Sequence, residues 1–493
     1  MTLPPAIQAS RTRLASLLAI VGCAAILRLA AAANDLWFDE IWSLWLIARE
    51  TKVPWDLFRG GMRHDNNHLL NSLYLFWLPP HLPPLAYRLA SVAAGTASVG
   101  VAWLLGSQRS AASGRWCAIA VATSHMLVNC SSEARGYGLM SLFLLIAQWA
   151  ALERFEGVRR DTSISPIRLQ WLPVIFGGAC ILGLLAHLTF VMGYLAILFW
   201  TAWITLRQPA TLRTGLRTLL AWHTVPLVFT GLLWLGFVRG MAYGKGPEQT
   251  LLVTATKGLA ALAGATQRLP WTALAAAGVA CVAAWCLARC FHDRPQRAAF
   301  FVTAIMVAPA AVLAAFPIDF YSVRYLLAPL QTLLILLASE LAVIATSAGR
   351  IWPGVAVAVG LVACGANLAR DAVLIHRGRG QYRRALAIVK EATAQNAPPL
   401  IAVGSNHDLR TELLVAYHQQ GLPGRPIRVL REGEMSAAGA DWVLLNHLED
   451  DDVAAPSITD APGNRYELVF STRSGGLSET HWHLYRRRKI KPQ

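Results

Sequence analysis

The sequence predicts an α-helical polytopic membrane protein of about eleven transmembrane helices, followed by a soluble α/β domain at the C-terminus. Three observations predict it. The 493 residues are 55% hydrophobic and 15% charged, which leaves too little polar surface for a soluble chain of this length. Apolar runs of about twenty residues recur from Leu14 to Ala369. Arginines fall in alternate loops between those runs, as the positive-inside rule expects.

In chain order the spans read as 14–33, 84–105, 116–130, 138–153, 171–187, 188–206, 218–238, 270–290, 298–316, 325–345 and 351–369. One side carries Arg11 and Arg13, then Arg109 and Arg115, then Arg154, Arg159, Arg160 and Arg168. The same side continues with Arg207, Arg213 and Arg217, then Arg289, Arg294 and Arg297, then Arg350. This side is expected to be cytoplasmic, with the N-terminus inside and the C-terminal domain in the periplasm of a bacterial inner membrane. The polar start, Met1 to Arg13, leads into a first span expected to stay uncleaved. The formal net charge of +16 then reflects topology and anionic lipid rather than nucleic acid. The eight cysteines are scattered through apolar runs without metal-ligand spacing, and no disulfide is expected. Arg28 and Glu340, the main charges inside spans, lie near enough to span ends to snorkel.

Two apolar stretches are excluded from the spans. His68–Pro80 is too short to cross, and counting it would invert the arginine pattern. It is expected to lie in the outer interface, with Tyr74 and Trp77 at headgroup depth. Residues 34–83 then form one large outer loop. Leu251–Leu269, interrupted by Lys257, Gln267 and Arg268, is read the same way.

After Arg370 the composition changes, and residues 371–493 read as the separate domain. Tyr382, Ala385, Leu386 and Val389 share a helical face. Leu400–Gly404, Ile427–Leu430 and Trp442–Leu445 read as strands. Ser405-Asn406 is placed as the cap of a helix running to Gln420. Tyr466–Arg473 and His481–Arg488 read as a hairpin. This domain carries no complete nucleotide or catalytic fingerprint.

Polar chemistry collects on the outer side. Asp39 and Glu40 stand among Trp37, Phe38, Trp42 and Trp45, just beyond the first span. Acids at such a depth are costly unless they work or are paired. They suit a general base or a divalent cation, and equally an acidic helix start. His64, Asp65, Asn66, Asn67 and His68 precede the interfacial helix. A helix through them would put His64 and His68 on one face, for polar recognition or metal binding, while Asn66 or Asn67 would otherwise serve as its cap. Glu133, Arg135 and Tyr137 sit where two spans meet. His187 lies between the fifth and sixth spans. Asp319, Tyr321, Arg324 and Tyr325 open another outer helix, where an arginine beside tyrosines suits a lipid phosphate or simple interfacial anchoring.

These motifs resemble those of the GT-C glycosyltransferases, which use polyprenyl-phosphate sugars, and in particular the bacterial branch of protein O-mannosyltransferases and aminoarabinose transferases. LWFDEIWS resembles the acidic motif of their first outer loop. NNHLLNSLYLFWL resembles the interfacial segment after it, with Asn-Asn-His-Leu-Leu in place of the usual H-P-P form. SSEARGYGL and FYSVRYLLAPL resemble later outer-loop motifs. The resemblance covers most of residues 10–370, the implied transmembrane catalytic domain. It implies that Asp39 is the catalytic base, assisted by Glu40. Arg135 and Arg324 would hold the leaving lipid phosphate, with His64, Asp65, Asn67, His68, Glu133, Tyr137, His187, Tyr321 and Tyr325 lining the substrate site. The donor would be a polyprenyl-phosphate-linked sugar. The acceptor would be an envelope glycan, lipid or protein, and the displacement would invert the anomeric centre. No residue is assigned as a metal ligand, although Glu133 stands where some relatives bind metal and a divalent cation is the one cofactor left open. Two other readings share much of this pattern: a ligase or polymerase of lipid-linked glycans, and a transporter or flippase, which would instead break helices at mid-membrane.

Overall fold

The computed structural model describes residues 5–157, 166–207, 212–244, 249–266, 270–316, 321–393, 400–431, 440–447, 454–472, 474–477 and 481–488. Arg159, Arg160, Gln267, Arg268 and Asp319 lie outside the described residues. By contacts the chain divides into two compact units. One is Met1–Ala32 with Arg49–Asp371, and the other is Ala33–Ala48 with Ala372–Gln493.

The first unit is helical. Its helices are α1 (Pro5–Ala32), the end of α2 (Phe38–Glu50), α3 (Leu69–Phe76), α4 (Pro84–Ser107), α5 (Ala111–Thr123), α6 (His125–Ser131) and α7 (Tyr137–Gly157). The series continues with α8 (Pro166–Ala186), α9 (Phe190–Leu206), α10 (Leu212–Gly236), α11 (Leu251–Leu262), α12 (Trp271–Asp293), α13 (Pro295–Val302), α14 (Ala308–Ala315), α15 (Leu327–Ala345) and most of α16 (Trp352–Arg377). Among the described residues, eight helical stretches are long and apolar enough to cross a membrane, and the chain is a multi-pass membrane protein. Each predicted span falls on helix. Gln170–Ala186 and Phe190–Leu206 are the shorter apolar ones, and α11 is another. The segment at 298–316 changes to a π turn, Thr303–Val307, just before Pro309, whose missing N–H disturbs the helical ladder.

Surface and core sort as a bilayer requires. On α10 and α16, Leu220, Val228, Leu232, Leu361 and Val362 are exposed, as residues facing lipid would be. Helix α15 is buried almost throughout, and polar pairs rather than apolar contacts alone hold its neighbours. Ser141 Oγ donates to Gln331 Oε1 at 2.9 Å, and Gln148 Nε2 donates to Thr332 Oγ1 at 2.7 Å.

Two expectations are corrected here. The predicted span 116–130 is broken, because Ser124 is extended between α5 and α6. Arg28 does not snorkel. It is 1% exposed and donates to the Val121 and Ala122 carbonyls at 2.9 and 3.2 Å, and to Ser131 Oγ at 3.0 Å. Helix-end carbonyls lack intrahelical donors, and a buried guanidinium supplies them. Glu340 is equally buried and accepts from Arg109 Nε at 3.0 Å, while Arg109 also pairs with Asp293. An internal partner has replaced water for each charge.

The second unit is α/β. Helices α17 (Tyr382–Ala392) and α18 (Asp408–His418) accompany strands β1 (Ile401–Ser405), β2 (Ile427–Val429), β3 (Trp442–His447), β4 (Ser457–Thr459), β5 (Arg465–Ser471) and β6 (His481–Arg487). The sheet order is β2-β1-β3-β6-β5-β4, with β1 parallel to both β2 and β3 and the remaining pairs antiparallel. Tyr382, Ala385, Leu386 and Val389 are the buried face of α17, as their spacing predicts. The cap of α18 is His407, not Ser405-Asn406. Its side chain accepts from Arg410 N, while Asn406 instead bonds across to Asn446 on β3.

Candidate functional site

The expectation that His64 and His68 share a helical face fails, because α3 begins only at Leu69. His64 and Asp65 belong to the irregular chain before it. There His64 Nδ1 lies 2.6 Å from Asp65 Oδ1, and Asp65 N donates to Ala242 O of another loop. The N-cap is His68 rather than Asn66 or Asn67, and its side chain makes no capping bond. That ring is free to turn inward.

It turns to Arg135. The Arg135 guanidinium donates to His68 Nε2 at 2.9 Å and to Asn66 Oδ1. A guanidinium only donates, so Nε2 is the acceptor and the imidazole is neutral. Its Nδ1 lies 3.2 Å from Gly136 N and also faces the Ala186 carbonyl. Burial, followed by the charges of Arg135 and Arg324, holds His68 well below the usual histidine range. His187 stacks beside it with ring centroids 4.6 Å apart, and Tyr137 lies 4.4 Å from His187. Burial, then Arg135, pushes His187 down to about 3, and Thr189 Oγ1 lies 2.8 Å from its Nδ1. Arg135 also sits over the Tyr137 ring, 5.6 Å from its centroid.

Both predicted arginines therefore converge. Arg135 and Arg324 are each 6% exposed, and both act electrostatically on His68 and on Tyr137. Glu133 is fully buried and accepts from Asn129 Nδ2 at 3.0 Å. Tyr321 and Tyr325 flank Arg324 and are half-buried, and Tyr321 O accepts from Thr254 at 3.5 Å.

Asn67 binds the Leu57 and Met62 carbonyls through Nδ2, each at 2.8 Å, and Asn71 binds the Ala134 carbonyl at 2.8 Å. These contacts fix both amides. Among the described residues their Oδ1 atoms are buried without a donor. Asn71 was missed in the sequence. Its only signal is a lone amide in an apolar helix. Gly136 was missed as well. A Cβ there would lie 1.8 Å from Ala186 O, so only glycine lets the Arg135 loop reach the end of α8.

The acidic pair belongs to the second unit. Asp39 and Glu40 form the first turn of α2. Glu40 is fully buried and its Oε2 accepts from Trp37 N at 3.0 Å, the capping role open to an acid at a helix start. Asp39 is half-buried. Among the described residues no group of three or more His, Cys, Asp or Glu is arranged to hold a metal ion.

No protein-family model and no curated protein matches the sequence. Solved structures do match. ArnT from Cupriavidus metallidurans in the apo state is similar with a TM-score of 0.52 at 13% identity, over 99% of this chain and 100% of that one. ArnT bound to undecaprenyl phosphate follows at 0.49 and 13%, over 97% and 99%. The oligosaccharyltransferase AglB from Archaeoglobus fulgidus follows at 0.45 and 12%, over 87% and 69%. At such identity the likeness speaks to architecture alone, and over nearly its whole length this chain has a fold similar to that of ArnT.

Proposed function

We propose that the protein is an inverting glycosyltransferase that moves a sugar from a polyprenyl-phosphate donor to an acceptor hydroxyl at the periplasmic face of the inner membrane. The observation that carries this reading is the convergence of Arg135 and Arg324 on a buried, neutral His68. A sugar phosphodiester carries one negative charge. Its departing lipid phosphate carries nearly two. A second guanidinium held in place is therefore worth more as the bond breaks than in the ground state. Burial strengthens that difference. The neutral His68 imidazole orients Arg135 without adding charge, and the acceptor oxygens of Asn67 and Asn71 suit a polyol. Asp39 takes the proton of the attacking hydroxyl in this reading, on its resemblance to the first-loop acid.

Membranes containing the protein, supplied with radiolabelled polyprenyl-phosphate monosaccharides, are expected to move label into an envelope acceptor with inversion. Arg135→Gln should lower the rate by about 100-fold or more, and Asp39→Asn by a similar factor, at equal protein level. No transfer above membranes lacking the protein would overturn the reading.

A further inference from the structure

We propose that Arg410, on α18 of the C-terminal unit, is a positioning residue for the Asp39 carboxylate. The inference rests on the glycosyltransferase reading above and assigns the α/β unit a part in the reaction.

Residues Ala33–Ala48 pack as part of this unit, and a series of contacts fastens them to it. Arg379 Nη1 donates to Asn34 Oδ1 at 3.0 Å. Arg383 N donates to Asp35 Oδ2 at 3.1 Å. His418 Nε2 lies 2.9 Å from the Leu36 carbonyl, and the His418 ring stacks on Tyr382 at 5.3 Å. The next contact is of another kind. The Arg410 guanidinium lies over the Phe38 ring, 5.1 Å from its centroid, and interacts with Asp39. Burial pushes Arg410 below its ordinary value, and Asp39 opposes that push. Its Nε is buried without a hydrogen-bond partner among the described residues.

A cation is costly to desolvate unless it has a partner. The earlier contacts, the Arg379 guanidinium and the Arg383 backbone among them, already anchor this loop. Arg410 adds a charge held over the ring of Phe38, the residue immediately before the candidate base. Beside a carboxylate, such a charge limits the directions the carboxylate can face. Asp39 also acts on Tyr382 of α17, and Glu40 shares its first helical turn.

The test uses full-length protein in membranes and a polyprenyl-phosphate monosaccharide that wild type transfers. Arg410→Gln is expected to lower kcat about 10- to 100-fold with the donor KM within about 2-fold, because Arg410 holds the base and not the donor. Arg410→Lys should restore much of the rate. If Arg410→Gln fails to accumulate, Arg410→Met, which keeps its stem on the Phe38 ring, reads the same split of kcat from KM. An unchanged rate overturns the proposal, and so does a lost rate with no rescue by Lys. Arg135→Gln is measured alongside. Transfer that needs Arg135 but ignores Arg410 removes this inference alone, whereas no transfer by wild type removes the glycosyltransferase reading beneath it.

Discussion

His187 shows how one residue's setting becomes a measurable property. It is half-buried between His68 and Tyr137, where desolvation and then the Arg135 charge push it down to about 3, so it stays neutral in the folded protein down to about that pH. Unfolded, it takes a proton near its ordinary value of about 6.5. Between those values the unfolded state binds the extra proton, so stability falls as pH falls from about 6.5 toward 3. His68 is depressed for the same reason and adds in the same direction. Thermal unfolding in detergent should therefore show a midpoint that drops on going from pH 7 to pH 5. His187→Asn, whose amide can keep the contact with Thr189, should make that drop shallower by up to about 1.4 kcal/mol per pH unit. An equal slope in the variant would show that His187 does not titrate as its surroundings require.

At the scale of elements, the break between α5 and α6 is held from outside, by Arg28 on α1. The residue bonds the Val121 and Ala122 carbonyls and Ser131, and the Asp371 carboxylate on α16 acts on it as a counter-charge. Arg28→Met keeps the volume and deletes the donors. It should cost about 3 kcal/mol in detergent unfolding, since the buried carbonyls lose their donor and the Asp371 carboxylate loses a counter-charge. Adding Asp371→Asn should cost less than the two single changes summed, because the attraction between the two charges is lost only once, while the His125–Asp371 contact at 2.9 Å is disturbed in either background. A near-neutral Arg28→Met would sink this account. The same element marks where the sequence stops being informative. Apolar runs place the spans, and the spacing of Tyr382, Ala385, Leu386 and Val389 gives the buried face of α17, because these are local periodicities. The Ser124 break depends on a donor about ninety residues away in the chain, which no local pattern records. The late start of α3 was equally hidden. His64 is tied to the strand-like bridge with Ala242, and that pairing overrides the helical spacing of His64 and His68.

Over the whole molecule, the candidate site was legible as a list of residues and only partly as an arrangement. Arg135, Arg324, Tyr137, His68 and His187 do gather, since all but His68 stand at the ends of spans that the bundle brings together, and His68 caps the short helix α3 beside them. The membership of Ala33–Ala48 in the C-terminal unit was not legible, because its contacts join residues such as Asn34 and Arg379 that are 345 positions apart. Orientation follows from charge. Loop arginines resist translocation, so the side bearing Arg109, Arg207, Arg294 and Arg350 should face the cytoplasm and the α/β unit the periplasm. Chemistry on a lipid-phosphate sugar at the outer face requires that orientation. In a cysteine-free background, Ala461→Cys, on an exposed turn of the α/β unit, should react in intact cells with a maleimide that crosses the outer membrane but not the inner one. Ala348→Cys, exposed beside Arg350, should react only after the inner membrane is opened. The reverse pattern would place Arg135 and Arg324 on the cytoplasmic side, where a periplasmic transfer could not occur whatever their geometry.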